Sequence, residues 1–224
     1  MIVVHHLNNS RSQRILWVLE ELGLDYEIKH YQRDRETMLA PQSLKEVHPL
    51  GKSPVITDGE IVVAESGAII EYLAQTYGKG LLLPSPETPE YRQYIYWLHF
   101  SEGSLMPPLL LKIVFDKINT SPMPFFIKPV ARGISAKVMS SFVNPNIDSN
   151  FAYIDDYLAT HEWFAGPSLT GADIQMSFPL EASAARGAIG EKYPHIADYV
   201  TRFQAREAYQ KALEAGGEYD YSME

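Results

Sequence analysis

Lys52, Ser53, Pro54, Glu65 and Ser66 place a cation, two hydroxyls, a carboxylate and a proline within residues 49–71, a combination suited to holding a small anion. Val55-Ile56-Thr57 and Ile61-Val62-Val63 are short β-branched runs. Asp58-Gly59 between them predicts a hairpin, because a tight turn needs residues that tolerate positive φ. The hairpin runs straight into Glu65-Ser66. Ser66 stands where a helix N-cap belongs, ahead of Ile69, Ile70, Leu73 and Tyr77, whose spacing marks one apolar helical face. Free helix N–H groups and a hydroxyl converge there, where a carboxylate is stabilised. Pro54 has no N–H for a strand ladder, and a cis Ser53-Pro54 peptide is expected. Taken singly, Ser66 reads as a cap, Lys52 as a solvated charge and Ser-Pro as a loop. Together they read as a cradle for an anion.

The chain has no cysteine. Thiolate metal sites, disulfide frameworks and any protein-borne reactive sulfur are therefore excluded, and thiol chemistry here must use a thiol that is brought in. A thiol near its ordinary pKa of about 8.5 is only a few per cent thiolate at neutral pH, so such an enzyme must stabilise S⁻. The turn Asn8-Asn9-Ser10-Arg11-Ser12 offers hydroxyls and helix N–H groups for that purpose.

The elements that must position these groups are legible in outline. Ile2 to Leu7 predicts a first strand, and a helix opening between Ser10 and Ser12 carries Ile15, Val18, Leu19 and Leu22 at helical spacing before Gly23 closes it. Residues 25–29 alternate as a second strand, and strand-helix-strand order implies a parallel pair with a right-handed crossover. Residues 1–78 thus read β-α-β-α-β-β-α, the thioredoxin-like order. The prolines in Leu83-Pro84-Ser85-Pro86-Glu87-Thr88-Pro89 mark a linker. The expected division is a thioredoxin-like domain at 1–83 and an all-helical bundle at 89–224. Helices are predicted near 88–118, 123–142, 146–160, 171–188, 192–204 and 205–215, with Pro107-Pro108 bending or interrupting the first. Thr170 and Asp173 form a reciprocal capping box, a folding feature with no direct part in chemistry.

Several function classes fall away. With 19 basic against 28 acidic residues the net charge is −9, and without a basic stripe this argues against nucleic acid. The start resembles no secretory leader and no later run approaches 18 apolar residues, so a cytoplasmic protein with no membrane span is expected. Gly51-Lys52-Ser53 lacks the glycine five positions earlier that a phosphate-binding loop needs, since Glu46 stands there. His5 and His6 are adjacent on a strand and point to opposite faces, so no metal site is expected from them.

The set Gly51-Lys52-Ser53-Pro54 with Glu65-Ser66 resembles the glutathione-binding half of the cytosolic glutathione transferases, and the likeness spans nearly the whole chain. His5 to Trp17 is similar to the fungal and bacterial members that read His-x-Leu-x-x-Ser-Arg-x-x-Arg-Ile/Leu-Leu-Trp. The resemblance implies glutathione as co-substrate, with Glu65 and Ser66 at its γ-glutamyl end, Lys52 at its glycyl carboxylate, and the Ser53 backbone, beside cis-Pro54, on its cysteinyl backbone. In the family the residue that activates the thiol lies in the first turn and is Tyr, Ser or Cys. Here no tyrosine precedes Tyr26, so serine remains. Ser10 is chosen as the catalytic residue because it lies four residues before Arg14, as in the theta- and delta-type members; Ser12 and Asn9 are the alternatives. Its role would be to donate a hydrogen bond to sulfur, because an unassisted serine cannot act as a base at neutral pH.

The resemblance further implies conjugation of glutathione to small hydrophobic electrophiles in detoxification, peroxidase activity in some members, and a homodimer. A non-catalytic ligand carrier and a glutathione-dependent lyase or isomerase are the alternatives on the same fold. Segment 101–147, rich in Met, Phe and Pro, departs from the named classes. Around it Trp97, Phe100, Met106, Leu110, Phe115 and Phe126 recur at helical spacing, which suits an electrophile pocket or ordinary core.

Overall fold

The computed structural model describes residues 1–34, 36, 37 and 39–222. Its amino-terminal part is a four-stranded mixed sheet in the order β2-β1-β3-β4, built from β1 (Ile2–Leu7), β2 (Tyr26–Tyr31), β3 (Val55–Asp58) and β4 (Ile61–Ala64). β1 and β2 pair in parallel with Ile2 opposite Tyr26, whereas β1–β3 and β3–β4 are antiparallel. The intervening α1 (Ser12–Leu22) is the crossover that a parallel pair requires. It ends as the sequence suggests, at Gly23 with φ 61°. The second strand runs two residues further than expected, to Tyr31, because its backbone keeps pairing with His6 and Leu7. α2 (Gln42–Lys45) is a single turn, and α3 (Ser66–Tyr77) starts directly after β4.

The remainder is helical, and two of its boundaries differ from expectation. The first long helix does not break at Pro107-Pro108. It runs as α4 (Pro89–Phe100), a π-helical turn (Ser101–Leu105) and α5 (Met106–Thr120). The predicted pair 123–142 and 146–160 is likewise one continuous rod, α6 (Lys128–Val138), a π turn (Met139–Val143) and α7 (Asn144–Leu158). Proline lacks an N–H and its ring crowds the preceding turn, so the helix must widen, kink or stop. Both rods widen: the N–H of Met106 reaches back to Ser101 and that of Asn144 to Met139, five residues each, just before Pro107-Pro108 and Pro145.

α8 (Gly171–Ala185), α9 (Pro194–Gln204) and α10 (Glu207–Gly216) complete the bundle. α8 is the central helix, with twelve of its fifteen residues buried. Asp173 secures its start, accepting from the backbone N–H of Thr170 (2.8 Å) and Phe164 (2.8 Å) and from the hydroxyls of Thr170 (2.9 Å) and Tyr199 (3.0 Å). Burial pushes its carboxyl up to about 6 against the pull of those donors. One apolar core is continuous across both parts: Ile15, Leu16 and Ile70 belong to it along with Trp97, Ile174 and Phe203.

Candidate active site

A cleft of about 650 Å³ opens between the two parts. Its sheet side is made by Lys52, Ser53, Pro54, Glu65 and Ser66, and its helical side by Leu98, His99, Glu102, Gly103 and Gln175, with Arg11 between. The local backbone is special at two points. Ser53-Pro54 is cis, as the sequence suggests. Glu65 has φ 73° and ψ 126°, a conformation that costs an ordinary residue about 1–3 kcal/mol and is typically kept where a site needs it. That residue turns the chain from β4 into α3, so that the first N–H groups of α3 face the cleft at Ser66.

Ser66 is held from below. The Arg14 guanidinium, 1% exposed, donates through Nη2 to Ser66 Oγ (3.0 Å) and Glu102 Oε1 (2.9 Å), and through Nη1 to the carbonyl of Gln175. Ser66 Oγ is therefore an acceptor toward Arg14, and among the described residues its own proton has no partner, leaving it available to a ligand carboxylate. Burial lowers the Arg14 pKa while Glu102 raises it, and an arginine stays charged throughout. Glu102 also takes Arg11 (3.3 Å) and the Gln175 amide (3.4 Å). The π turn at Ser101–Leu105 supplies Glu102 and Gly103 to the cleft, while Ser101 Oγ donates to the Gln175 carbonyl (2.9 Å).

Ser10 lies behind the wall formed by Arg11 and Ser53, 4% exposed. Ser10 Oγ donates to Ser53 Oγ across 3.4 Å, and Ser53 Oγ donates in turn to the carbonyl of His5 (3.0 Å). Ser12 N–H, at the head of α1, donates to Ser10 Oγ (3.2 Å), and the two hydroxyl oxygens are 2.7 Å apart. The Ser12 hydroxyl is 3.0 Å from His6 Nδ1. An N–H bond received at the head of a helix makes the Ser10 hydroxyl a better donor. Its long link to Ser53 is the weakest bond of the set. Asn9, the other alternative, has φ 49° and its side chain faces Asp220.

The apolar candidates fall in different places. Trp97 is fully buried, its ring against Tyr153, Tyr157 and Phe164. Phe100, Met106 and Phe115 are half-buried, and Leu110 and Phe126 are exposed, Phe126 by 66%. None of these six is in the wall of the cleft. Arg11, His48, His99, Glu102 and Gln175 are; Arg11 belongs to the Ser-Arg-x-x-Arg motif, but no motif marked the other four, and Glu102 and Gln175 reach the cleft only because a π turn and a buried helix bring them there.

His6 is buried, against Ser12 on one side and His30 on the other. Burial, then the charge of His30, lowers its pKa to about 4. A histidine depressed in the fold contributes stability that is complete above its unfolded value of about 6.5 and is lost as pH falls toward 4. The expected loss from this group is about 2–3 kcal/mol. Urea midpoints between pH 7 and 4.5 check it: His6→Gln should show a shallower decline than wild type, and parallel declines would refute the assignment.

The amino-terminal domain profile of the glutathione S-transferases matches residues 1–75, and the carboxy-terminal domain profile matches residues 139–207. With its thioredoxin-like domain, cis-proline cradle and helical bundle, the chain belongs to the cytosolic glutathione S-transferase family of enzymes. It is 40% identical to glutathione S-transferase 3 of Schizosaccharomyces pombe, covering 96% of this chain and 87% of that one. It is 35% identical to glutathione S-transferase 1 of Saccharomyces cerevisiae, covering 96% and 94%. Among solved structures, a glutathione S-transferase of Actinobacillus pleuropneumoniae superposes with a TM-score of 0.77 at 35% identity, over 96% of this chain and 92% of that one.

Proposed function

We propose that the enzyme binds glutathione in this cleft and transfers its thiolate to small hydrophobic electrophiles. The observation that carries the reading is the Ser66 hydroxyl at the head of α3, oriented by a buried arginine and beside the cis-Pro54 turn. Glutathione has two carboxylates and one ammonium, and the cleft offers matching charges in Lys52 and Arg11 and in Glu65 and Glu102. In this reading the α3 N–H groups and Ser66 take the γ-glutamyl carboxylate, Lys52 takes the glycyl carboxylate, and the Ser53 backbone pairs with the cysteinyl residue. Ser10 donates to the sulfur, and the thiol proton leaves to water. Leu98 and Leu50 give the neighbouring wall apolar surface for an electrophile.

The chain would work as two units, residues 1–83 holding glutathione and residues 89–224 supplying the second wall. A homodimer is part of the proposal, supported by exposed apolar side chains on β4 (Ile61, Val62) and α5 (Ile113, Val114, Ile118) that have no cover in one copy. Sedimentation at micromolar concentration tests it, and a monomer would remove it. Among the described residues no helix is long and apolar enough to cross a membrane, and a cytoplasmic location is proposed on the resemblance.

Turnover of chlorodinitrobenzene with glutathione tests the activity, and cumene hydroperoxide tests the peroxidase branch. Binding without turnover on either would favour the carrier or lyase. Ser66→Ala should raise the glutathione KM about tenfold, the value of one lost charge-assisted bond, with kcat little changed. An unchanged KM would reduce Ser66 to the start of a helix.

A further inference from the structure

The turn that carries Ser10 is fastened by a segment more than two hundred residues away. Asn9, in the left-handed region at φ 49°, is a residue type that tolerates that conformation but does not enforce it. Its amide is gripped at both ends by one residue: Asn9 Nδ2 donates to Asp220 Oδ2 (2.8 Å), and Asp220 N–H donates to Asn9 Oδ1 (3.0 Å).

Asp220 is not on a loose tail. α10 packs along α1, and at Gly216 a Cβ would lie 2.5 Å from Gln13 Oε1 and 2.9 Å from Leu16 Cδ1, so a side chain there would have to push the buried ends of Gln13 and Leu16 aside. Gly217, at φ 84°, then turns it toward the Ser10 loop. On one side of Asp220, Tyr219 donates its hydroxyl to the buried Glu181 carboxylate (2.5 Å), which also takes Tyr209 (2.6 Å). On the other, Tyr221 accepts from Arg186 (3.1 Å) and lies under its guanidinium at 4.9 Å from the ring centre. Two anchored tyrosines thus present the aspartate between them.

We infer that residues 217–222 form a strap that sets the position of the Ser10 hydroxyl, with Asp220 as a positioning residue acting through Asn9. The inference rests on the reading of Ser10 as the donor to sulfur. Donation to a thiolate depends on placement within about half an ångström, and Asn9 is bonded in sequence to Ser10. Asp220 is exposed, so its loss should leave the fold intact while slackening the turn.

The test is the pH profile of kcat/KM with glutathione, read together with KM and the melting temperature. Asp220→Ala should raise the apparent thiol pKa by about half a unit and lower kcat/KM at neutral pH about threefold, with the glutathione KM and melting temperature unchanged. Asp220→Asn keeps an oxygen for Asn9 Nδ2 and should restore most of the loss. In a Ser10→Ala background Asp220→Ala should add nothing. An Asp220→Ala enzyme with the wild-type pH profile, while Ser10→Ala is shifted, overturns the strap and leaves Ser10 in place. The same shift appearing in the Ser10→Ala background overturns it too. A Ser10→Ala enzyme identical to wild type removes the donor itself, and the strap's role with it.

Discussion

Arg14→Ala is expected to lower stability by about 3–5 kcal/mol, the range for removing one partner from a buried ionic network. For a domain of this size that is roughly 6–20 °C in melting temperature. Arg14 ties α1 to α3 through Ser66, to the π turn through Glu102 and to α8 through the Gln175 carbonyl. Its loss strips donors from both sides of the boundary between sheet and bundle and leaves a gap where the guanidinium lay. Glu102 retains Arg11 and is partly hydrated, which keeps the loss from being greater. Ser66 would lose the bond that orients its oxygen, so the glutathione KM should rise as well. Arg14→Lys should recover only part of either quantity, because an ammonium cannot reproduce a planar fork reaching three partners. Calorimetric melting and glutathione saturation curves on the two variants check this. A melting temperature within a degree or two of wild type for Arg14→Ala would show that the network adds little.

Ser10→Ala should cut kcat/KM at pH 7 by tenfold or more. One donated bond to an anion is worth about 1.5–3 kcal/mol, which lowers a thiol pKa by one to two units. Without it the bound thiol returns toward about 8.5 and is mostly protonated at neutral pH. The loss should therefore shrink as pH rises past 8.5, where wild type and variant both hold thiolate. That convergence separates a lost sulfur donor from general damage to the turn, which would depress the rate at every pH. Ser12→Ala is the companion variant, since the Ser12 hydroxyl contacts His6 and Ser10 from further inside. A larger pKa rise in Ser12→Ala than in Ser10→Ala would move the catalytic assignment by two positions.

Much of this was legible where chemistry and local structure coincide. Gly59 turns the hairpin, with Asp58 still paired to Ile61, and Ser53-Pro54 is cis, because a turn glycine and a proline act within a few positions of themselves. The expected N-cap is off by one position: Glu65 caps α3 without a side-chain bond, and Ser66 is the first helical residue, its oxygen taken by Arg14. What local sequence could not reveal came from afar or from tertiary override. Pro107-Pro108 and Pro145 look like breaks, yet the packed rods pass through them by widening into π turns. Arg14 sits at a core-facing position of α1 and reads as a mere spacing marker, but its three partners belong to α3, the π turn and α8. Asn9 gives no hint that Asp220 will hold it. The aromatic and methionine residues at helical spacing were ambiguous for a physical reason: the same periodicity serves a core and a pocket. Trp97 packs inward, while Leu98 and His99, one and two positions further along the helix, reach the cleft.

In the proposed mechanism the cleft beside cis-Pro54 holds glutathione as a thiolate. Ultraviolet difference titration of the saturated enzyme reads the bound thiol directly. The expected result is a sulfur ionising one to two units below its free value of about 8.5, and moving back toward that value in Ser10→Ala. A bound thiol that ionises as it does free in solution, or calorimetry showing no heat on adding glutathione, would contradict it.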